Sequence, residues 1–338
     1  MVKSTVIIPN YNGFRFLADC MEALSKQSLS DFYTLVVDNG SADESIPWLR
    51  RWAEEDPAHR ILIENKDNLG FSGAVNQGIK WSMAHNCLYS ILLNNDTKAD
   101  PDFVKELEAA MEADTKGRLF AVSSQMLKMH DPTQIDDAGD QYTVLGWQFQ
   151  RGLEEPAASW QTPAYVFSAC AGAAAYRNTA LQKTGLFDTA HFAYLEDVDI
   201  SFRAQLYGYQ VLYCPKARCL HVGSGTSGSK YNSFKVKLSA RNSWYLLYKN
   251  MPVWMMVLNC LPLALGYLVK LLYFVRKGFG KDYLAGLREG LHTAKTLHKA
   301  RFEEVPVLRF LTIELRLLTA TCEYASRLLR KYGKHKNS

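Results

Sequence analysis

One pattern recurs four times within the first hundred residues: a short apolar run halts at asparagine or aspartate, and a helix-like segment follows. Residues 5–8 stop at Pro9-Asn10-Tyr11-Asn12, and residues 34–37 stop at Asp38-Asn39-Gly40-Ser41. Residues 61–63 lead to Asn68-Leu69-Gly70-Phe71, and residues 89–93 end at Asn94-Asn95-Asp96. Runs this short are strands, whereas Phe14, Leu17, Met21 and Leu24 recur at the intervals of a helix face. Strands that alternate with helices build right-handed β-α-β units, so the expected fold is α/β, an open and mostly parallel sheet flanked by helices. Such a sheet binds its ligand at the carboxyl ends of its strands, where these polar stops fall.

The next stretch, 126–163, is rich in Asp, Gly, Gln and Pro and reads as loops and short strands beside the sheet. A small-residue strand over 167–176, a helix over 196–207 and two further strand-like runs, 211–214 and 218–222, complete a unit that spans 1–235. Residues 223–230 are mostly Gly and Ser and read as a lid or hinge. Four helical segments, 236–250, 252–275, 283–299 and 307–332, make up a second region, 236–338. Seven scattered cysteines without a C-x-x-C pair argue for a reducing compartment and against a zinc site or disulfide frame. The start, Met1-Val2-Lys3-Ser4, lacks the pattern of a secretory signal, which places the first unit in the cytoplasm.

The polar stops carry chemistry. A dinucleotide fold would place G-x-G-x-x-G after the first strand, and this chain has Pro9-Asn10-Tyr11-Asn12-Gly13 there. Asn10 and Asn12 can hydrogen-bond a base or ribose and Tyr11 offers a stacking face; an ordinary turn and helix cap is the alternative. Asp38 is either turn chemistry or an acceptor for the imide N–H of uracil or thymine. Asp96 is suited to a divalent ion shared with phosphate oxygens, although the usual D-x-D motif has Asn94 at its first position here. His221, just before the glycine-rich stretch, is a candidate additional metal ligand. Glu196, Asp197 and Asp199 open a helix, where its dipole stabilises acids and Arg203 can pair with Asp199. Three carboxylates in four residues also repel one another, which raises a pKa and prepares a general base.

Taken in order with Tyr194-Leu195-Glu196-Asp197-Val198-Asp199 and Arg241-Asn242, these stretches resemble the family two glycosyltransferases of the GT-A fold. The likeness extends over about the first 250 residues and is greatest to the rhamnosyltransferase-like branch of bacterial cell-surface polysaccharide synthesis. It implies an inverting transfer with Mg or Mn, in which Asp197, beside Glu196, is the base and Asp96 holds metal and diphosphate. Pro9, Asn10, Tyr11, Asn12, Asp38, Asn68, Gly70, Asn95 and Arg241 would then surround the nucleotide sugar. Residues 1–100 become the nucleotide-sugar half and 101–222 the acceptor half. Asn94, and Asn39 where many relatives have a second Asp, leave metal affinity and donor open. The expected reaction moves L-rhamnose from dTDP-L-rhamnose to a polyprenyl-diphosphate-linked saccharide. A UDP-hexose or UDP-N-acetylhexosamine transferase is the alternative enzyme, and a non-catalytic nucleotide-sugar-binding assembly subunit the alternative of another class.

The tail bears on location. Residues 251–269 are uncharged but contain Pro252, Asn259 and Pro262, near the lower limit for a bilayer span. From Arg276 onward fourteen Lys and Arg face six Asp and Glu, a balance suited to anionic lipid headgroups. This predicts a peripheral or monotopic protein at the cytoplasmic face of the bacterial cell membrane. A buried packing helix or a homodimer contact is the other reading of 251–275. Nucleic acid is not an expected partner, because aromatic and basic residues do not interleave.

Overall fold

In β1 (Ser4–Asn10), Val6, Ile7 and Ile8 are all fully buried, as a strand covered on both faces requires. It pairs in parallel with β2 (Phe32–Asp38) on one side and β4 (Tyr89–Leu93) on the other, and β3 (Arg60–Glu64) lies outside β2. The chain therefore steps outward through α1 (Phe14–Ser25), α2 (Ser45–Glu54) and α3 (Gly70–Ala84), then returns across β1. That reversal opens a crevice beyond the carboxyl ends of β1 and β4. In α1 the buried stripe is Leu17, Cys20, Met21 and Leu24; Phe14, expected on this face, is exposed.

The structure is a computed structural model that describes residues 2–223 and 231–336, with side chains as far as Leu329. The lid expected at 223–230 thus falls, apart from Gly223, outside the described residues.

Beyond β4 come β5 (Thr97–Ala99), α4 (Phe103–Glu112), β6 (Leu119–Lys128) and β7 (Asp131–Asp137). They are followed by a separate hairpin of β8 (Asp140–Tyr142) and β9 (Gln148–Gln150), then β10 (Ala164–Val166), β11 (Ala173–Arg177) and α5 (Asn178–Thr184). Helix α6 (Glu196–Leu206) and β12 (Gln210–His221) complete the sheet, in the order β10-β12-β6-β11-β4-β1-β2-β3, with β5 and β7 added on β12 and β6. The sheet is mixed and mostly parallel, since β11, β10, β5 and β7 run against the other strands.

Two expectations need correction. The strand expected at 167–176 is confined to β11, because a turn closes from the Ala173 N–H to the Cys170 carbonyl. The ten-residue β6 was not expected. Its buried Ser123, Ser124 and Gln125 interrupt the apolar run; Ser124 donates to the Ala173 carbonyl and Gln125 to the Tyr213 hydroxyl, while the Ser123 hydroxyl has no partner among the described residues.

The C-terminal helices are α7 (Ser233–Asn250), α8 (Val253–Leu258), α9 (Cys260–Arg276), α10 (Gly280–Thr293) and α11 (Val307–Lys336). The helix expected at 252–275 is divided at Asn259, whose amide donates to the Met255 carbonyl and to Glu314. The one expected at 283–299 gives way to a 3-10 turn at 294–296. The boundary placed after residue 235 falls inside α7. These helices are no appendage: Val198, Phe202 and Leu206 of α6 share one buried cluster with Leu246, Leu247, Met255, Leu263, Phe310, Ile313 and Leu317. Gly266 permits α9 to lie on the β8–β9 turn, since a Cβ there would stand 2.1 Å from the Leu145 carbonyl oxygen. Among the described residues no helix is long and apolar enough to cross a membrane.

Candidate active site

The crevice at the sheet's switch point widens into a cavity of about 1010 Å³. Its floor is made by the strand-end loops, and its roof by Tyr231, Phe234, Lys235, Lys270, Phe274 and Tyr283 from the C-terminal segments.

On the β1–β3 side a relay of amides fixes the loops. Asn95 donates to Asn10 at 2.6 Å, and Asn10 donates to Asp38 at 2.7 Å. Asp38 also accepts from the Ser41 N–H and hydroxyl and is fully buried. The nucleobase contact expected of Asp38 is thereby corrected: both carboxylate oxygens are engaged in holding the β1 and β2 loops together. Asn12, with φ 49°, spans the same two loops by accepting from the Ala42 N–H, and it too does not line the cavity. Pro9, Asn10, Tyr11, Asn68, Gly70, Asn95 and Asp96 do line it. Tyr11 is 39% exposed and presents the expected stacking face. Gly70 adopts φ +74°, and a Cβ there would meet the Phe192 ring at 2.6 Å, so this close approach of α3 to the 192–195 loop needs glycine.

Asp96 and His221, 125 residues apart in sequence, meet because β5 pairs with β12. The Asp96 carboxylate lies 3.4 Å from His221 Nε2, and His221 Nδ1 lies 2.7 Å from Asp136. Burial disfavours an imidazolium here, but hydrogen bonds to Asp136 and Asp96 outweigh it and raise the pKa to about 10. A divalent cation that displaced the Nε2 proton would fit this donor set: a carboxylate and a ring nitrogen converge, and Asp136 would orient the imidazole through its other nitrogen. Asn94 donates its backbone N–H to the Gly172 carbonyl and lines the same wall.

Asp197 faces the cavity from the first turn of α6. Its oxygens accept from the N–H groups of Val198 (2.8 Å) and Ala171 (3.4 Å). Desolvation raises its pKa above the ordinary carboxylate range, against the pull of those N–H groups. Glu196 is pushed higher still, first by burial and then by Asp197, and one of its oxygens has no partner among the described residues. Two raised acids this close titrate as a pair, and burial disfavours carrying both charges at once. The third acid of this motif is different in kind. Asp199 is wholly buried and bound by Lys249 (2.7 Å), Asn250 (2.7 Å) and Arg203 (3.1 Å), a structural role that the expected Arg203 pairing anticipated in part.

The loop before α6 is strained, with Phe192, Tyr194 and Leu195 at φ 62°, 70° and 64°. Asn242 holds it by reaching the carbonyls of His191, Ala193 and Tyr194, and Arg241 donates to those of Ala190 and His191. Arg241 also pairs with Glu289 and does not line the cavity. Its expected contact with the nucleotide sugar is corrected to a positioning role, because its donors are occupied by the loop that presents Glu196 and Asp197.

The model of Glycosyl transferase family 2 matches residues 5–184, more than half of the chain. This chain belongs to glycosyl transferase family 2. Among its family 2 relatives, the low-salt glycan biosynthesis hexosyltransferase Agl10 of Haloferax volcanii is 21% identical over 70% of this chain and 73% of its own. Glycosyltransferase GlyA of Streptococcus pneumoniae is 33% identical, but over 31% of this chain and 14% of its own length. Two solved structures share the fold at 16% identity. GalNAc-T7 with UDP, GalNAc and Mn2+ has a TM-score of 0.59 over 73% of this chain and 48% of that one. The mannosyltransferase PcManGT of Pyrobaculum calidifontis, with GDP-Man and Mn2+, has a TM-score of 0.53 over 86% and 87%.

Within this family 2 domain, several functional candidates escaped sequence reasoning. Asp137, Asp140 and Cys170 bring ligand atoms within 4.8 Å of one another beneath Asp197. Burial drives all three toward their neutral forms, which makes them poorer cation ligands than Asp96 and His221. Gln148, donating to Asp140 across the β8–β9 hairpin, brings a further amide to the cavity wall. The one available signal was the run Asp136-Asp137-Ala138-Gly139-Asp140, inside a stretch that read only as loop.

Proposed function

We propose that this family 2 protein is an inverting glycosyltransferase that carries a sugar from a nucleotide diphosphate to an acceptor hydroxyl. The observation that supports it is the placement of Asp197 and of the Asp96–His221 pair on the walls of one cavity. Tyr11 stacks on the base, and the loops braced by Asn10, Asn68 and Asn95 hold ribose and diphosphate. Asp197 accepts the proton of the acceptor O–H while that oxygen bonds to the anomeric carbon and the bond to the diphosphate breaks on the opposite face, inverting the configuration. A divalent cation, Mg or Mn, bound by Asp96 and His221, supplies charge neutralisation at the departing diphosphate. Glu196, whose charge burial disfavours, sits beside the base.

Our donor is dTDP-L-rhamnose, and the aromatic wall of Phe192, Phe234 and Phe274 suits the methyl group of a 6-deoxy sugar. A thermal-shift panel of dTDP, UDP, GDP and their sugars, each with and without Mn2+, tests this, because a ligand of the native state raises the melting temperature. A Mn2+-dependent rise confined to dTDP compounds is expected. A rise confined to UDP compounds would replace rhamnose with a UDP-hexose or UDP-N-acetylhexosamine, and no rise with any nucleotide would count against nucleotide-sugar binding altogether.

The acceptor we propose is a polyprenyl-diphosphate-linked saccharide at the cytoplasmic face of a bacterial membrane. In support, α8 and α9 expose Val253, Val257, Leu258, Leu261, Leu265, Leu268 and Leu272, and the adjoining α11 exposes Leu308, Leu311 and Leu315. Leu261 is 79% exposed, and exposed Arg276, Lys277 and Lys281 flank the patch. An apolar face edged by cations is what an interfacial helix presents to anionic lipid. Removing the chain beyond Asn250 would strip the core of α6, so surface substitutions are the better probe. Leu261→Glu with Leu265→Glu and Leu268→Glu should lower co-sedimentation with phosphatidylglycerol vesicles about tenfold while nucleotide binding persists. Undiminished co-sedimentation of the folded triple variant would overturn the membrane reading.

A further inference from the structure

Lys270 projects from α9 into the cavity roof, its ammonium 5.9 Å from the centre of the Trp147 ring. Among the described residues no carboxylate lies within ion-pair distance of it. Lys270 is half-buried, and desolvation pulls its pKa down to about 8. In the proposed reaction the donor's diphosphate does not call on Lys270, because Asp96 and His221 would hold the cation that neutralises it.

Its surroundings show which ligand it faces. The segment of α9 that carries Lys270 is seated on the β8–β9 turn through Gly266, whose carbonyl accepts from the Trp147 indole N–H. The next residue, Gln148, bonds Asp140, and Ser168, bridged to Asp140, donates to the Asp197 carbonyl. Lys270 therefore stands over the hairpin that abuts the base, not over the β1–β3 loops that receive the nucleotide.

We propose that Lys270 binds an anionic group of the acceptor, a phosphate or a carboxylate, and thereby selects acidic acceptors. The inference rests on the reading of this cavity as a glycosyl-transfer site. Beyond the Trp147 ring, the Lys270 ammonium has no carboxylate partner among the described residues; an anion entering beside it supplies a counter-ion, and a neutral acceptor does not. The anion has two chemical sources, the phosphate of a lipid carrier or an acidic sugar within the saccharide.

The test is calorimetric titration of the full chain, first saturated with UDP and Mn2+ or dTDP and Mn2+. Farnesyl phosphate is compared with farnesol, and methyl glucuronoside with methyl glucoside. Wild type should bind at least one anion about tenfold more tightly than its neutral counterpart. Lys270→Met and Lys270→Gln should erase that preference, Lys270→Arg should keep part of it, and nucleotide affinity should stay unchanged in all three. Preference for farnesyl phosphate identifies the lipid carrier as the source, and preference for the glucuronoside identifies the saccharide. The proposal is overturned by equal binding of anion and neutral partner in wild type, by an undiminished preference in the neutral variants, or by loss of nucleotide instead of anion. Should wild type bind neither nucleotide, the transferase reading fails on its own, and the anion titrations without nucleotide still judge Lys270. Melting curves of all variants confirm that each is folded.

Discussion

Asp197→Asn is expected to lower turnover about a thousandfold, with nucleotide affinity unchanged. The amide retains the size of the carboxylate and can still accept from Val198, so the first turn of α6 survives, but it no longer takes up a proton. Single-turnover kinetics at saturating donor would isolate this loss. Glu196→Gln should cost far less, since burial disfavours a charge on Glu196 and the proton transfer is assigned to Asp197. The sign of the pH dependence follows from the raised pKa of Asp197. The base must be ionised, so activity falls as pH drops through that raised value, and the acid limb lies above the range of a free carboxylate. Turnover of Asp197→Asn within tenfold of wild type would refute the base assignment. Undiminished product in cells carrying that variant would favour the assembly-subunit alternative.

The second large effect is on stability. Lys249 is 4% exposed and reaches two acids, Asp188 and Asp199, each at 2.7 Å. Lys249→Met leaves both without their main counter-ion and should cost about 3–5 kcal/mol of unfolding free energy, measured by chemical denaturation. Burial opposes the charge on Asp199, but Lys249, His191 and Arg203 prevail and hold its pKa far below the ordinary carboxylate range. A depressed carboxylate contributes stability that is complete above its unfolded pKa, near 4, and is lost as pH falls below that. The difference between Lys249→Met and wild type should therefore be largest near neutrality and narrow below about pH 4. A cost below about 1 kcal/mol would mean that Arg203 and Asn250 suffice for Asp199.

What could be read from residues alone was whatever is written locally. The strand ends of β1, β2 and β4 are marked by abrupt changes from apolar to amide side chains, and those marks led directly to Asn10, Asp96 and the opening of α6. The roles of Asp38 and Arg241 were not legible at that level. Both have the chemistry of ligand contacts, and only their three-dimensional neighbours, Asn10 and Ser41 for one and the 190–191 carbonyls for the other, show that their hydrogen bonds are already committed. The same limit hid β6, where buried Ser124 and Gln125 are satisfied by partners far along the chain, and hid Lys270, whose place in a cavity depends on how α9 crosses a hairpin more than a hundred residues earlier.

Helix α11 reaches back to the earliest acceptor-side elements: Arg316 donates to Gln205, Thr321 accepts from the Val144 N–H, and Arg327 donates to the Gln150 carbonyl. During synthesis, the strands that receive nucleotide leave the ribosome hundreds of residues before this helix does. A nascent chain can thus assemble its nucleotide loops while Phe202, Leu206 and the β8–β9 hairpin still lack their cover. The cavity's floor is thus written at the start of the chain and its roof, from Tyr231 to Tyr283, only towards the end.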